Sequence, residues 1–327
     1  MLNIAFAGAG RVAELHQQIL STMPNMRLKG LYDVDTARGQ QRSMQWGVKA
    51  YASFDELLDD EQVDAVYILT PAETHVEMSL RCVEAKKAVF VEKPVSHSPE
   101  DIDQLVAASK TAGQVVMPGH NYVYMPEFRR MVRLLRNGDL GTIRSVWINY
   151  AIKHPEEIAA AYGGILEEVM VHHTYMTLAL LGKPERLYAG VAEPAWEKHT
   201  GEDQAWMIWE YSKGLSAHLF ASFAVGDDSA DPWTFVVKVL GTQGSASLTW
   251  RSSIFNRALG TLSFALPVYE ESYEHEALMF QSAVLDGAPL ISTLEDAAAS
   301  ARIINAAYRA ARQRCAVSQM ADGNAQW

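Results

Sequence analysis

Over the first 120 residues, short apolar runs alternate with stretches whose apolar positions recur every three to four residues. The runs are Leu2–Ala7, Arg27–Tyr32, Val63–Leu69, Ala88–Val91 and Gln114–Met117. Between them, Val12–Met23, Thr36–Trp46, Thr74–Ala85 and Pro99–Ala112 carry the helical period, as with Val76, Leu80 and Val83. Ser98 before Pro99 reads as an N-cap followed by a first-turn proline. Strand and helix in strict alternation predict a doubly wound α/β Rossmann domain with a parallel sheet covered on both faces.

Beyond residue 120 the rhythm changes. Helical patterns at Glu127–Asn137, Val169–Leu181, His275–Leu285 and Leu294–Arg312 stand apart from long strand-like runs at Thr142–Lys153, Arg186–Val191, Ala205–Tyr211, Leu215–Ala224, Thr234–Leu240 and Ser245–Trp250. Few helices separate those runs, which predicts an α+β domain with a large, mostly antiparallel open sheet. The expected division is 1–120 for the cofactor and 121–327 for substrate and oligomerisation, with the helix at about 294–312 packing back toward the first domain. The chain from Ala316 reads as a frayed tail. In Ala205–Tyr211 apolar side chains occupy both alternations, Trp206 and Ile208 against Met207, Trp209 and Tyr211. A sheet with helices on one face leaves one such set bare, so a homodimer or homotetramer through that face is expected.

Composition narrows the function. Apolar residues make up 49% and charged residues 20% of the chain, and Lys plus Arg at 28 against Asp plus Glu at 39 leave a net charge of −11. No long run of one sign occurs, which argues against nucleic acid or an anionic membrane as a partner. Cys82 and Cys315 are too few for a disulfide framework. No basic leader or membrane-length apolar run appears, so a cytoplasmic protein is expected.

The first strand runs into Gly8-Ala9-Gly10-Arg11-Val12-Ala13, a dinucleotide fingerprint at a strand-to-helix junction. Its glycines allow a tight turn and close approach to a pyrophosphate seated on a helix N-terminus. Asp33 follows about 20 residues on, where a carboxylate accepts the ribose hydroxyls of NAD and repels the 2′-phosphate of NADP. Arg38 is the counter-indication, since it could turn to a phosphate. NAD is therefore expected over NADP.

A second charged motif ends the strand Ala88–Val91, where Glu92-Lys93-Pro94 follows directly. Together with Thr70-Pro71-Ala72-Glu73-Thr74-His75, Gly119-His120-Asn121-Tyr122, Leu140-Gly141, Gly163-Gly164 and Glu295-Asp296, it makes the chain resemble the Gfo/Idh/MocA family of oxidoreductases. The resemblance implies a cis Lys93–Pro94 bond and a catalytic group of Lys93, His172 and Glu168, with Glu168 standing where the family has aspartate and Met170 where it has glycine. It implies an NAD(P)-dependent dehydrogenase acting on a hydroxyl of a sugar, polyol or inositol-like compound. Gly8, Gly10, Arg11, Val12, Asp33, Arg38, Thr70, Pro71, His75, Glu92 and Lys93 are the expected cofactor residues. His120, Asn121, Tyr122, His172 and His173 join Lys93 as expected substrate residues, although His173, about 100° round the helix from His172, reads better as a packing residue. Glu167, Glu168, His172 and His173 cluster without a metal-ligand motif, so no metal is expected. An NAD-retaining glycosidase or epimerase, or a non-catalytic sugar-binding or nucleotide-binding regulator, is the alternative.

Overall fold

The computed structural model describes residues 1–159, 163–192, 194–195, 201–225, 234–249, 252–256, 261–265 and 267–318. Two compact units result: Met1–Tyr124 with Ser272–Ala298, and Met125–Glu271 with Ala299–Trp327.

The first unit is built on strands β1 (Leu2–Ala7), β2 (Met26–Tyr32), β3 (Lys49–Ala50), β4 (Ala65–Ile68), β5 (Ala88–Val91) and β6 (Val116–Pro118). Helices α1 (Arg11–Thr22), α2 (Thr36–Trp46), α3 (Phe54–Asp59), α4 (His75–Glu84) and α5 (Pro99–Ala112) connect them. The sheet order is β3-β2-β1-β4-β5-β6, with every pair parallel. Every residue of β4 and β5 is buried, which is why both read as unbroken apolar runs rather than alternating ones. The order reverses between β1 and β4, the place where such sheets hold ligands beyond the strand ends. Apolar patterning did not reveal β3 or α3. β3 is two exposed residues on an edge, and it approaches Gly30 so closely that a Cβ there would lie 2.7 Å from the Lys49 carbonyl oxygen. The return segment supplies aromatic lids for the sheet: Phe280 meets Tyr67 at 5.3 Å and Phe90 at 6.0 Å, and Tyr273 meets His16 at 5.4 Å between ring centres.

The second unit contains α6 (Pro126–Arg136), β7 (Ile143–Ala151), α7 (Glu156–Ala159), a π-helical turn (Leu166–Met170) leading into α8 (Val171–Leu181), β8 (Arg186–Val191), β9 (Gln204–Glu210), β10 (Ser216–Ser222), β11 (Thr234–Gly241) and β12 (Ser245–Thr249). A hairpin of β13 (Ser252–Asn256) and β14 (Thr261–Ala265) follows. Along the chain there follow α9 (Pro267–Asp286), whose residues from Ser272 belong to the first unit, α10 (Leu294–Gln313), which returns to the second unit at Ala299, and β15 (Val317–Ser318). The sheet order is β12-β11-β7-β10-β9-β8-β15; only β7 and β10 run parallel, so the sheet is mixed and mostly antiparallel. Its inner face is packed with Val146, Ile148, Met207, Trp209, Leu219 and Val237. α8 is buried along nearly its whole length, and its His173 ring lies 6.4 Å from that of Phe235 on the inner face. The other face leaves Trp147, Trp206 and Leu240 partly open to solvent. The tail expectation needs correcting. Val317 and Ser318 pair with Leu187 and Arg186 as an edge strand, because β8 would otherwise present unpaired backbone groups. Trp250, at the end of one expected strand, lies outside the described residues.

Candidate active site

Gly8 takes φ +100°, a conformation that favours glycine, and a Cβ there would lie 2.7 Å from the Leu69 carbonyl oxygen. The turn is therefore pressed against the end of β4. Gly10 differs: nothing lies within 4 Å of its missing side chain, and α1 starts there without a side-chain cap. A bare helix N-terminus opening on free space fits a pyrophosphate. Arg11 beside it is exposed and Val12 half-buried.

Asp33 directly follows β2, is buried, and is fully engaged. Its Oδ2 accepts from the Ala9 N–H at 2.7 Å and Arg38 Nε at 3.0 Å, and its Oδ1 from the Asp35 N–H and Arg38 Nη2, both at 2.8 Å. Burial alone would raise its pKa. The Arg38 fork and the two backbone donors outweigh that and hold the carboxyl below its ordinary value. Arg38 is thus not merely a solvated residue of the first helical turn; it clamps the carboxylate assigned to ribose.

The Lys93–Pro94 peptide is cis, and Glu92 anchors the turn. Glu92 Oε2 accepts from the Lys93 N–H at 3.0 Å and its Oε1 lies 2.8 Å from His16 Nε2. Burial pushes the Glu92 pKa up, but the His16 hydrogen bond and charge, with the Lys93 ammonium, hold it below the ordinary range. Glu92 is then a carboxylate and His16 Nε2 the donor. His75 reaches the same turn from another side, with Nδ1 2.9 Å from the Pro94 carbonyl and Nε2 2.6 Å from the Thr70 carbonyl. Thr70 is half-buried and Pro71 exposed on the loop after β4. His75 therefore acts as a brace between the two loops. Its pKa is lowered by burial, against the pull of those carbonyls and of Glu92 and Glu73.

His120, Asn121 and Tyr122 follow β6 and are all buried. His120 Nδ1 lies 2.6 Å from Ser292 Oγ, and Asn121 Nδ2 donates to Ser272 Oγ at 3.0 Å, so both tie the sheet to the return segment. Burial, reinforced by the Lys93 ammonium, pushes the His120 pKa down to about 3, which keeps it neutral. Glu276, from the same return segment, is fully buried with both carboxyl oxygens unpartnered. Burial and the Glu92 charge raise its pKa well above the ordinary value, so it stands as a neutral acid.

In the second unit the two histidines part company. His172 is 8% exposed, and its Nδ1 lies 2.5 Å from Tyr175 Oη. His173 is 0% exposed, neither ring nitrogen has a partner, and burial pushes its pKa down to about 3. Glu167 and Glu168 sit half-buried on the π-helical turn that leads into the helix carrying His172. Among the described residues no group of three or more His, Cys, Asp or Glu side chains converges as a metal site.

Sequence reasoning missed His16, Tyr175, Ser272, Ser292 and Glu276. His16, Ser272 and Ser292 meet their partners across long stretches of chain, and Glu276 is buried without a partner, so none of the four leaves a local trace. Tyr175 was visible, three residues past His172 on one helix face.

Comparison with known proteins decides the family. Residues 2–120 match the Gfo/Idh/MocA profile described as an oxidoreductase family with an NAD-binding Rossmann fold, and residues 128–247 match the Gfo/Idh/MocA C-terminal domain. The chain belongs to the Gfo/Idh/MocA oxidoreductase family. It is 28% identical over 320 residues to the uncharacterized oxidoreductase YrbE of Bacillus subtilis (strain 168), covering 92% of each chain. It is 25% identical over 312 residues to myo-inositol 2-dehydrogenase of Thermotoga maritima, covering 90% of this chain and 92% of the other. The structure of GenD2 from gentamicin A biosynthesis, solved with NAD, superposes with a TM-score of 0.85 at 27% identity, over 97% of this chain and 96% of that one. As a Gfo/Idh/MocA member the chain is an NAD-binding oxidoreductase. The open helix N-terminus at Gly10 fits the pyrophosphate of that cofactor, and Asp33 stands after β2 as a carboxylate held below its ordinary pKa.

Proposed function

We propose that the protein is an NAD-dependent dehydrogenase that oxidises a hydroxyl of an inositol, polyol or sugar, or reduces the matching ketone. NAD supplies the hydride acceptor. Gly8 lets the turn press against the end of β4, Gly10 leaves room for the pyrophosphate over the start of α1, and Asp33 takes the ribose. Lys93 donates a hydrogen bond to the reacting oxygen and stabilises the charge that develops there. His172 takes the hydroxyl proton. In the tautomer that donates Nδ1–H to Tyr175 Oη, the lone pair lies on Nε2, the nitrogen that would act as base. Glu168 steadies this arrangement. The observation that carries the reading is the Lys93 turn itself, fixed by Glu92, His16 and His75 at the carboxyl end of β5. Relatives named as inositol dehydrogenases support the substrate class.

The assembly we propose is a homodimer or homotetramer of cytoplasmic protein, joined through the outer sheet face, where Trp147 is 48% and Trp206 43% exposed and Trp147 stacks on His218 at 4.3 Å. Among the described residues no helix is long and apolar enough to cross a membrane.

The test is a panel of inositols, polyols and aldoses with NAD, read at the reduced-nicotinamide absorbance. Stoichiometric NADH with at least one polyol supports a dehydrogenase. Turnover of substrate without net NADH would instead indicate a hydride-returning glycosidase or epimerase.

A further inference from the structure

An ionised carboxylate offers about four lone-pair sites, and Asp33 has four donors on them. Two are backbone N–H groups, of Ala9 and Asp35, fixed by the β1–α1 turn and the start of α2. The other two belong to one guanidinium, Arg38 Nε at 3.0 Å and Nη2 at 2.8 Å. An adenosine 2′-hydroxyl must donate to this carboxylate, and the donors that can leave are those of Arg38. Leaving is easy in geometric terms: the Arg38 side chain is 47% exposed, against 3% for Asp33. Asp35, which caps α2 through the Arg38 N–H, stands 3.9 Å from Arg38 Nη1 and keeps the released guanidinium nearby.

We propose that Arg38 is a specificity residue of the adenosine site: it fills the acceptors that NAD needs, unforks from Asp33 when the ribose enters, and then stands ready for a 2′-phosphate. This rests on the assignment of Asp33 to the ribose. Arg38 then acts on both cofactors in opposite senses. It competes with the 2′-hydroxyl of NAD, and it offsets the repulsion that Asp33 alone would exert on NADP. The discrimination that the buried carboxylate imposes is therefore blunted by its own neighbour. NAD remains the preferred ligand, because Asp33 keeps its negative charge and its two backbone donors.

A lysine in the same place would separate the two effects. Its ammonium is a point charge that can meet a phosphate but cannot fork across both carboxylate oxygens.

The experiment is calorimetric titration of the full chain with NAD and NADP, for wild type, Arg38→Ala and Arg38→Lys, with thermal melting to confirm that each variant is folded. Arg38→Ala is expected to bind NAD about two- to five-fold tighter, the scale of releasing a half-exposed ion pair. It is expected to bind NADP about tenfold or more weaker, the scale of losing hydrogen bonds to a charged group. Arg38→Lys should share the gain for NAD and keep most of the NADP affinity. NAD binding that weakens or stays level in Arg38→Ala would overturn the competition, and unchanged NADP binding would overturn the phosphate role. Because binding is read without a second substrate, a wrong polyol assignment leaves these results intact. A wild type that binds neither nucleotide overturns the proposal together with the cofactor assignment.

Discussion

The two sheets use their apolar residues in different ways. In the first unit both faces of the parallel sheet are covered, and the strands β4 and β5 carry no polar face at all. Their chemistry is confined to the strand ends, where the chain leaves the core and Thr70, Glu92 and Lys93 follow at once. In the second unit each central strand alternates. Ala205, Met207 and Trp209 turn inward along β9, while Trp206 and Ile208 turn outward and remain partly open. A doubly covered sheet concentrates function at its rim, and a sheet covered on one side presents a surface along its whole length. Buried polar groups are partnered unevenly in both units, since Glu276 of the first, like His173 of the second, has no partner on its polar atoms. Glu92, His120 and Asn121 lie under the rim of the first sheet, each with a named partner, whereas His173 beneath the second has none on either nitrogen.

The largest effect expected from this contrast lies at the rim. Lys93→Ala should lower kcat by about 10²–10⁴-fold, since it removes the donor to the reacting oxygen, while the melting temperature moves little because Lys93 is only half-buried. A melting temperature that falls as steeply as kcat would make Lys93 a structural residue and erase the distinction.

The second sheet can be tested on one strand. Trp209 is among the largest fully buried side chains, so Trp209→Ala should destabilise the fold by about 3–5 kcal/mol in denaturant unfolding. Trp206→Ala, on the opposite face, should cost far less in the same assay and instead weaken self-association in light scattering. Equal losses of stability would show that the outer face is not a surface.

The smallest effect is electrostatic. The His173 pKa is depressed to about 3 in the folded chain against about 6.5 unfolded. Its contribution is present above the unfolded value and is lost as pH falls from about 6.5 toward 3, by at most about 1.4 kcal/mol per unit. His120 adds in the same direction. His173→Leu, similar in volume, should therefore flatten the fall of stability between pH 6.5 and pH 5 relative to wild type. An unchanged slope would mean that the ring is solvated or paired.

Much of this was legible beforehand, for reasons that differ by residue. β1, β4, β5 and β6 announce themselves because strands buried on both faces must be almost continuously apolar. Gly8, Gly10, Asp33 and Lys93 are readable because each has its place in a local motif at a strand end. The supports of the site were not readable. His16 meets Glu92 across 76 residues, Asn121 meets Ser272 across 151 and His120 meets Ser292 across 172, and no periodicity records such pairs. Arg38 was in view, but its fork onto Asp33 depends on side-chain geometry that spacing does not contain. The π-helical turn at Leu166–Met170 likewise departs from the regular helix that a sequence period describes.

The central claim is that Lys93 and His172 carry a hydride transfer, with His173 an inert neighbour. The direct measurement is kcat for His172→Ala beside His173→Ala, with NAD and a polyol that the wild type oxidises, followed by reduced-nicotinamide absorbance. The account predicts a loss of about 10²–10⁴-fold for His172→Ala and near-normal turnover per folded molecule for His173→Ala. Near-normal turnover in His172→Ala, with the loss falling on His173→Ala, would contradict it.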